Sequence, residues 1–577
     1  MKVSDYIVKF LIDKGITDIF GYPGGMVTHL MDSLGKYSTK IDTHIVYHEQ
    51  SAAFAACGYA QASDKIGVAF ATSGPGATNL ITGICNAWFD SIPTIFITGQ
   101  VNTFEANDIP GLRQKGFQEL DVISMVSGVT KEAFYVERPE QIRCFLEKAF
   151  FSALDKRKGP VLLDIPMNIF RAEIDEKTLV GYNPLLDEKT IENLTQSRDE
   201  LEMCLDQILS KAKRPCLLLG NGIKQAHQVN QIRQLIQECP MPVISSMLAV
   251  DIIPEEEELA GIYYGFVGAY GNRTANFVAA KSDLIICMGT RLDVRQVGCK
   301  RGNFAPQAQI IRIDIDQIEL KNKIHNDEIQ FCISLEESVP VLKSILGKHN
   351  SYREWLQVCG EIKRRIKYTD EKKPNRIVNA ISREIPDKYS VVADVGQNMI
   401  WVAQSFRMKK EQRLYMSGGH GAMGYALPAA IGIYYATQRP VVCFCGDGGL
   451  QMNIQELQYI ASMHIPIKII VVNNQSLGMI RHFQEMYFEA HYYYTVGTEG
   501  YSVPDFCRIA NAYGIAAKKF EGETTKWNID VQNELPQLFE ILLEANTVVA
   551  PKLEFGKPNQ DQEPLLDRDL YQYLMEL

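Results

Sequence analysis

Short apolar runs rich in valine, isoleucine and phenylalanine recur along this chain, and a segment long enough for a helix follows each run. These runs lie at residues 16–21, 66–72, 94–98, 161–165, 215–219, 284–288, 310–315, 390–393, 441–445 and 467–472. Such alternation is typical of parallel β-sheets whose strands are joined by crossover helices. The sequence therefore predicts an α/β fold with doubly wound parallel sheets.

The length of the chain and two polar joints predict three domains. At about 150 residues per domain, a chain of 577 residues has room for roughly two to four domains. Charged, aperiodic stretches near 171–197 and 343–374 separate three groups of apolar runs. We therefore predict domains at 1–175, 195–345 and 370–550, and a polar C-terminal tail at 551–577.

Charge and composition disfavour several classes of partner. The chain has 59 basic and 69 acidic side chains, a formal net charge of −10 and no long basic run, which argues against a nucleic-acid backbone as partner. Charged residues begin at Lys2 and leave no uncharged core for a secretory signal. Small and polar residues break the uncharged stretch at 66–89, which we predict to be buried core and not a membrane span. We expect a cytoplasmic protein that binds small molecules, and neither nucleic acid nor membrane.

The clearest ligand signal is a predicted βαβ unit in the third domain. Asp447 lies in the run GDGG at 446–449, an amphipathic segment follows at 453–463, and Asn474 comes after the next strand. Right-handed crossover brings the two strand ends to the same edge of the sheet. Glycine N–H groups suit a diphosphate, and the Asp and Asn oxygens suit Mg²⁺, with the backbone carbonyl of Ser476 as a third ligand.

Two other interpretations of this region stay open. Each run by itself fits an ordinary turn between a strand and a helix. The run GHGAMG at 419–424 also fits GxGxxG, with Asp447 as a ribose ligand, which is the pattern of a nicotinamide-dependent oxidoreductase. Two observations argue against that class. Asp447 lies inside a glycine cluster, which leaves few side chains to contact an adenosine, and the Asn473-Asn474 pair has no role in dinucleotide binding.

A glutamate in the first domain is the second candidate. Glu49 precedes an alanine-rich segment at 51–62, where an isolated acid is most simply explained by the positive end of a helix dipole. The run SGPG at 73–76 and Asn79 follow the strand at 68–72 and offer another edge of small and polar residues. The first domain therefore has a ligand edge of its own.

Taken together, these runs resemble the thiamine-diphosphate enzymes of the acetolactate synthase family. The matching runs are HEQ at 48–50, TSGPGATN at 72–79, DVGQ at 394–397, GAMGYALPAAIG at 421–432, and the GDG and NN runs. Further matches, GYPGG at 21–25, FQELDV at 117–122, GPVLLDIP at 159–166 and MNIQEL at 452–457, extend the resemblance over essentially the whole chain. It implies a pyrimidine-binding domain, a central domain of the FAD-binding type and a diphosphate-binding domain. It also implies a homodimer or homotetramer in which the first domain of one subunit meets the third of another; a regulatory subunit is left open.

The resemblance implies roles for individual residues. Glu49 is the carboxylate that drives tautomerisation of the aminopyrimidine, Met452 holds the two rings of the cofactor in a V, and the segment of Met423 supplies a backbone carbonyl. Gly25 and Gln118 match positions on the substrate side. The other cofactor positions are Pro23, Pro75, Asn79, Gln397, Asn398 (in place of a usual histidine), Gly421, Gly446, Gly448, Gly449, Leu477, Gly478 and Met479, with Asp447, Asn474 and Ser476 as the Mg²⁺ ligands.

The central domain resembles its family counterparts with some departures. Val294 replaces a second acid of the family's stretch, and Gly220-Asn221-Gly222 replaces a triple glycine. We expect FAD here, the alternative being a domain that keeps the fold without the ligand. The residues that resemble FAD contacts are Arg291, Asp293, Arg295 and Asp314.

The acceptor side departs further from the family. Phe483 occupies the place of a tryptophan associated with 2-oxobutyrate as acceptor, and His420 replaces a usual leucine. With Met479 and His482, these residues form the predicted acceptor pocket. We predict decarboxylation of a 2-oxo acid, pyruvate, and carboligation of the two-carbon unit to a carbonyl acceptor. The alternatives are acetyl transfer from pyruvate to a nucleotide-linked keto sugar, and simple decarboxylation that releases the aldehyde.

Overall fold

Three parallel six-stranded sheets, each flanked by helices, make up the computed structural model, which describes residues 1–186, 197–255, 258–349, 352–366, 372–521, 527 and 529–577. The predicted α/β fold class is confirmed. Each sheet lies within one of the three predicted domain ranges, and the exact boundaries stay a prediction, because parts of both joints lie outside the described residues. Among the described residues, no helix has the length and apolar character needed to cross a membrane.

The first sheet has the strand order β2-β1-β3-β4-β6-β5. Its strands are β1 (Asp18–Gly21), β2 (Asp42–Ile45), β3 (Gly67–Ala71), β4 (Thr94–Gln100), β5 (Glu132–Tyr135) and β6 (Pro160–Pro166). Its helices are α1 (Val3–Asp13), α2 (Thr28–Lys36), α3 (Glu49–Ser63), α4 (Pro75–Phe89), α5 (Val122–Val126), α6 (Ile142–Leu154) and α7 (Met167–Arg171). The uncharged stretch at 66–89 thus forms a buried strand and a helix packed on it.

The central sheet has the order β12-β11-β10-β7-β8-β9. Its strands are β7 (Pro215–Leu219), β8 (Val243–Ser245), β9 (Tyr263–Phe266), β10 (Leu284–Met288), β11 (Gln309–Asp314) and β12 (Ile329–Cys332). The described helices of this unit are α8 (Arg198–Leu209), α9 (Gly222–Gln225), α10 (Val229–Glu238), α11 (Arg273–Lys281), α12 (Val294–Val297), α13 (Gln317–Leu320), α14 (Leu335–His349) and α15 (Arg353–Ile366).

The third sheet repeats the architecture of the first in the order β14-β13-β15-β16-β18-β17. Its strands are β13 (Ser390–Ala393), β14 (Leu414–Tyr415), β15 (Val441–Gly446), β16 (Ile467–Asn473), β17 (Ala516–Glu521) and β18 (Gln537–Leu542). Its helices are α16 (Lys373–Glu384), α17 (Gln397–Ser405), α18 (Ala426–Thr437), α19 (Asp447–Met452), α20 (Glu456–Ser462), α21 (Gly478–Tyr487) and α22 (Phe506–Ala512).

The C-terminal segment folds back onto the central unit. Its last helix, α23 (Arg568–Glu576), buries Leu574 in a small apolar cluster with Phe277 and Ile362 of the central unit. Before this helix, the side chain of Gln562 donates hydrogen bonds to backbone carbonyls of the loop at 268–271. The segment predicted as a polar tail is therefore docked along its length.

Helices α3 and α18 join the first and third units through small residues. A Cβ atom at Gly58 would overlap the carbonyl oxygen of Ala429, and one at Gly432 would overlap that of Ala55. Both helices contribute to one apolar core shared by the two sheets. The alanine-rich sequence of α3 is thus explained by the close approach of two helix backbones.

We expect Gly432→Ala to lower the free energy of unfolding by about 1–3 kcal/mol, because the added Cβ overpacks this contact. The measurement is denaturant or thermal unfolding of the full chain. Gly35→Ala is the matched control, since a Cβ at this helical glycine would have no heavy atom within 4 Å. The control should be neutral or more stable by about 0.5–1 kcal/mol. Equal losses in both variants would contradict the close contact between α3 and α18.

Candidate active site

The GDGG run lies where β15 meets α19, next to the end of β16. The two strands are parallel neighbours, so Asp447 and the loop after Asn473 share one edge of the third sheet. Asp447 is only 3% exposed. Its Oδ1 accepts a hydrogen bond from the N–H of Gly448 at 2.7 Å, and its Oδ2 accepts one from the N–H of Ser476 at 3.2 Å. The carboxylate is therefore held at the strand edge by backbone donors.

Asn474 is oriented by Gln397. The amide Nδ2 of Asn474 donates to Oε1 of Gln397 at 2.9 Å, so its Oδ1 is the atom able to ligate a cation. Gln397 in turn donates to the carbonyl oxygen of Thr547 at 3.0 Å. The carbonyl oxygen of Ser476 accepts from the N–H of Gly478 at 2.8 Å and keeps a second lone pair for a ligand.

The electrostatics of this edge fit a divalent cation with a diphosphate. Burial raises the pKa of Asp447 to about 6, although its backbone hydrogen bonds act in the opposite direction. The hydroxyl Oγ of Ser476 is buried without a hydrogen-bond partner among the described residues. A buried carboxylate and an unsatisfied hydroxyl beside glycine N–H groups are the donor set that Mg²⁺ and phosphate oxygens need.

Two residues of this edge were not among the predicted site residues. Tyr501 donates its hydroxyl to Oδ1 of Asp447 at 3.2 Å from a distant loop that has no sequence signal. Asp394 accepts from the N–H groups of Gly424 and Ala426, at 2.9 and 3.0 Å. It thereby fixes the 421–426 loop beside the GDGG run. Asp394 opens the DVGQ run, so the sequence did carry a signal for it.

Asn398 is buried beside the GDGG run, and its role as a diphosphate contact stays a prediction. Its Nδ2 donates to the carbonyl oxygens of Asp394 and Phe444, at 2.8 and 3.3 Å, and the side chain is buried. A Cβ at Gly446 would lie 3.1 Å from its Oδ1. In this structure, Asn398 thus braces the ends of β13 and β15, because both strands present backbone carbonyls to its amide.

The other predicted residues of the third unit surround the same edge. Met452 ends α19 and is 55% exposed, which leaves an apolar side chain at the rim. A Cβ at Gly448 would lie 2.9 Å from Leu477 and 3.0 Å from Met423, so these side chains contact the GDGG run. Gly421 adopts a φ of 70°, and its N–H donates to the hydroxyl of Ser417. Gly478 and Met479 form the first turn of α21.

The first sheet has a separate polar edge around Glu49, which is the first residue of α3 and 8% exposed. Its Oε2 accepts a hydrogen bond from Nδ2 of Asn79 at 2.9 Å. A Cβ at Gly76 would lie 3.3 Å from its Oε1, so the backbone there passes close to the carboxylate. Pro75 is the first residue of α4, beside this contact.

The substrate-side residues of the first domain lie at the same edge. A Cβ at Gly74 would lie 3.0 Å from the Cβ of Gln118, whose φ is 64°. The N–H of Met26 donates to Oγ1 of Thr72 at 3.2 Å, which anchors the loop of exposed Pro23 and Gly25 beside the SGPG run. The structure therefore collects Gly25, Glu49, Pro75, Asn79 and Gln118 around one edge.

Among the described residues of one chain, the Glu49 edge and the Asp447 edge share no direct hydrogen bond or ion pair. Near this edge, the contacts with the third unit are made by neighbours of Glu49. Asn453 donates to Oε1 of Gln50 and accepts from the hydroxyl of Ser51, both at 3.1 Å. Across the described ranges, no hydrogen bond or ion pair connects Glu49 itself with Asp447, Asn474 or Ser476.

The predicted FAD residues line one cavity of about 400 Å³, within the usual size of ligand pockets, where the central unit meets the first and third units. Burial raises the pKa of Asp314 to about 6, and Nε2 of Gln296 is buried with no hydrogen-bond partner in the described part of the chain. Asp293 is already engaged, because its Oδ1 caps α12 through two backbone N–H groups. The lining residues named from the sequence are Arg291, Asp293, Arg295 and Asp314.

The predicted acceptor residues divide between two places. Met479, His482 and Phe483 share helix α21, and the ring of Phe483 packs against Phe555 of the C-terminal segment. Burial and two nearby cations lower the pKa of His482 to about 4, so it is neutral. His420 instead stacks on Phe89, at the border of the central cavity.

Comparisons with known proteins agree with this architecture. Residues 1–125, 205–342 and 394–546 match the N-terminal TPP binding, central and C-terminal TPP binding domains of thiamine pyrophosphate enzymes. The chain is 35% identical over 522 residues to the acetolactate synthase isozyme 2 large subunit of Escherichia coli (strain K12), covering 89% of this chain and 90% of that protein.

A second relative is the acetolactate synthase large subunit of Lactococcus lactis subsp. lactis (strain IL1403), 32% identical over 563 residues, with 96% of this chain and 94% of that protein covered. A third, the acetolactate synthase large subunit of Cyanidium caldarium, is 34% identical over 576 residues, with 96% and 95% covered. The chain belongs to the thiamine-diphosphate enzymes of the acetolactate synthase large-subunit family.

Proposed function

We propose that this protein decarboxylates pyruvate and joins the resulting two-carbon unit to a carbonyl acceptor, with thiamine diphosphate and Mg²⁺ as cofactors. The observation that carries the proposal is the buried Asp447 carboxylate, held by glycine-loop and Ser476 N–H groups beside an unpartnered hydroxyl. The names of the relatives, which are acetolactate synthases, support the reaction.

Asp447, Oδ1 of Asn474 and the carbonyl of Ser476 are the ligands we assign to Mg²⁺, and we assign the diphosphate to the glycine run at 446–449, in which the N–H of Gly448 already holds Asp447. When bound, thiamine diphosphate supplies a nucleophilic carbon and an acceptor for the electron pair released by decarboxylation. Met452 supplies an exposed apolar surface at this rim, which suits a support for the organic part of the cofactor.

Glu49 is the residue to which we assign proton control of the aminopyrimidine. Its Oε2 is fixed by Asn79, and the backbone of Gly76 approaches the same carboxylate. Because no hydrogen bond or ion pair joins Glu49 to the Asp447 edge in the part of one chain that the structure describes, we further propose a homodimer in which Glu49 of one subunit serves the diphosphate edge of the other. The exposed apolar side chains Phe104 and Phe117, 67% and 79% exposed, suit such a contact.

Product analysis by NMR tests the reaction. Purified protein is incubated with thiamine diphosphate, Mg²⁺ and FAD, with pyruvate alone and then with a second carbonyl compound. We expect CO₂ release together with a carboligation product, and we expect formation of that product to require thiamine diphosphate and Mg²⁺. Absence of CO₂ release with pyruvate under every condition contradicts the proposed donor, and release of free acetaldehyde as the main product supports a decarboxylase instead.

A larger acceptor is the second candidate, and α21 carries the observation that favours it. Phe483 is 37% exposed and lies in an aromatic group with Tyr487 and Phe555, beside neutral His482. Aromatic faces with polar ring donors suit a polyhydroxylated ketone such as a nucleotide-linked keto sugar. Faster CO₂ release with such a sugar than with pyruvate alone would favour this acceptor over a second pyruvate.

FAD is the third cofactor that we propose, in the central cavity. We expect Asp314→Ala to weaken FAD binding about 10- to 100-fold, because a carboxylate that lines the cavity and can accept a hydrogen bond from a ribose hydroxyl is lost. Quenching of flavin fluorescence measures the affinity. Asp327→Ala, an exposed carboxyl in the same unit, is the control and should leave the affinity unchanged. Equal affinity in the two variants contradicts a role for Asp314.

A further inference from the structure

Lys552 is a buried lysine beside the acceptor helix. It is 6% exposed, and its Nζ lies 5.8 Å from the centroid of the Phe483 ring. In the part of the chain that the structure describes, no hydrogen bond or ion pair involves this Nζ. A lysine whose side chain is mostly buried, and whose ammonium group has no partner among the described residues, can bind an anionic ligand.

The backbone of the C-terminal segment fixes Lys552 in this place. The N–H of Lys552 donates to the carbonyl of Glu563 at 2.8 Å, and the N–H of Glu563 donates to the carbonyl of Lys552 at 2.7 Å. The next residue, Leu553, donates to the carbonyl of Ala269, whose own N–H donates to the carbonyl of Arg295. Lys552 therefore lies where the central unit, the C-terminal segment and helix α21 meet.

The surroundings of Lys552 favour an anion. His482 lies near both Lys552 and Arg481, and Glu485, the acid that acts on Lys552, is already paired with Arg481 at 2.9 Å. Burial lowers the pKa of Lys552 to about 8, with Glu485 acting in the opposite direction, so the side chain is charged at neutral pH. The neutral ring of His482 can donate a second hydrogen bond to the same ligand.

We propose that Lys552 determines acceptor specificity by binding an anionic group of the acceptor substrate. The group is the carboxylate of a 2-oxo acid or a phosphate of a nucleotide-linked sugar, since both are oxyanions that an ammonium group recognises. This inference rests on the proposed carboligation and names the acceptor class for the same site. Phe483 then faces the carbonyl end of the acceptor, while Lys552 holds its charged end.

The test compares charged and uncharged acceptors in the holoenzyme with pyruvate as donor. The acceptors are 2-oxobutyrate, a nucleotide-linked keto sugar and uncharged benzaldehyde, and kcat/KM is measured for each. We expect Lys552→Met to lower the ratio of kcat/KM for the charged acceptor to that for benzaldehyde by about 10- to 100-fold. The charged acceptor that shows this selective loss identifies the source of the anion.

Two further variants separate charge from structure. Lys552→Arg keeps the cation and should restore most of the ratio. Lys557→Met removes an exposed lysine of the same segment and should leave the ratio unchanged. For the wild type, KM for the charged acceptor should be constant below about pH 8 and rise above it, because the ammonium group loses its proton, whereas Lys552→Arg should show no such rise.

An equal loss with charged and uncharged acceptors, or no loss at all in Lys552→Met, overturns the proposal. Failure of the proposed function is recognised separately, because CO₂ release from pyruvate with benzaldehyde reports the donor reaction alone. Calorimetric binding of 2-oxobutyrate and of the keto sugar to the holoprotein and to Lys552→Met tests the anion site even without turnover.

Discussion

Glu49→Gln is expected to lower kcat by about 10²- to 10⁴-fold, the range that a positioned acid–base group contributes. The substitution keeps the shape of the side chain, and its Oε1 can still accept the hydrogen bond from Asn79. What is lost is the negative charge at the first turn of α3, on which the proton shift in the aminopyrimidine depends. Steady-state CO₂ release from pyruvate measures the effect.

Glu456→Gln is the matched control for Glu49→Gln. Glu456 is also a buried glutamate. It begins α20, and its carboxylate accepts a hydrogen bond from the N–H of Tyr47, just before α3, at 3.1 Å. Its loss should change kcat less than about threefold, because it makes a backbone contact between two units of one chain. Wild-type turnover in Glu49→Gln, with thiamine diphosphate still bound, would contradict the role we assign to Glu49.

Much of the fold is predictable because each buried parallel strand must be a continuous apolar run. Strands β7, β10 and β13 match the runs at 215–219, 284–288 and 390–393 without any shift. Edge strands are not predictable in this way. Strand β17 presents mostly exposed side chains and is held by backbone pairing with β18, which leaves no apolar signal in the sequence.

The boundary of α19 shows a further limit. The sequence places the helix after GDGG at 453–463, whereas the structure has one helix that begins at Asp447 and a second that begins at Glu456. Asn453 separates them, with a φ of −134° and a side chain bonded to the carbonyl of Gly424 and to Gln50. A tertiary contact therefore interrupts a segment whose local pattern is continuous.

The residues of the candidate site are predictable only where they lie in or next to a recognisable run at the end of a strand. The rule that parallel strand ends meet at one edge leads from Asp447 to Asn474 and Ser476. Tyr501 reaches Asp447, and Lys552 reaches Phe483 of α21, from segments far along the chain, so their positions follow from contacts that no local pattern encodes.

Asp447→Asn is expected to raise the Kd of thiamine diphosphate at least about 100-fold at a fixed Mg²⁺ concentration. Substitution of a residue that only orients a metal ligand already lowers metal affinity or activity about 10- to 100-fold. Asparagine keeps one oxygen for the N–H of Gly448 but removes the charge that a divalent cation needs. Isothermal titration calorimetry at low and high Mg²⁺ gives the affinity. Excess Mg²⁺ should restore binding only in part.

Asp90→Asn is the control, because Asp90 is also a buried carboxylate that accepts two backbone N–H groups, from Gly418 and Gly419. Burial raises the pKa of Asp90 to about 6, as it does for Asp447, but Asp90 lines the central cavity and not the diphosphate edge. Its substitution should change the Kd of thiamine diphosphate less than about threefold. An unchanged Kd in Asp447→Asn, or an equal rise of Kd in both variants, would contradict the role of Asp447 as an Mg²⁺ ligand. If the Tm of Asp447→Asn falls as well, the rise in its Kd is explained by lost stability.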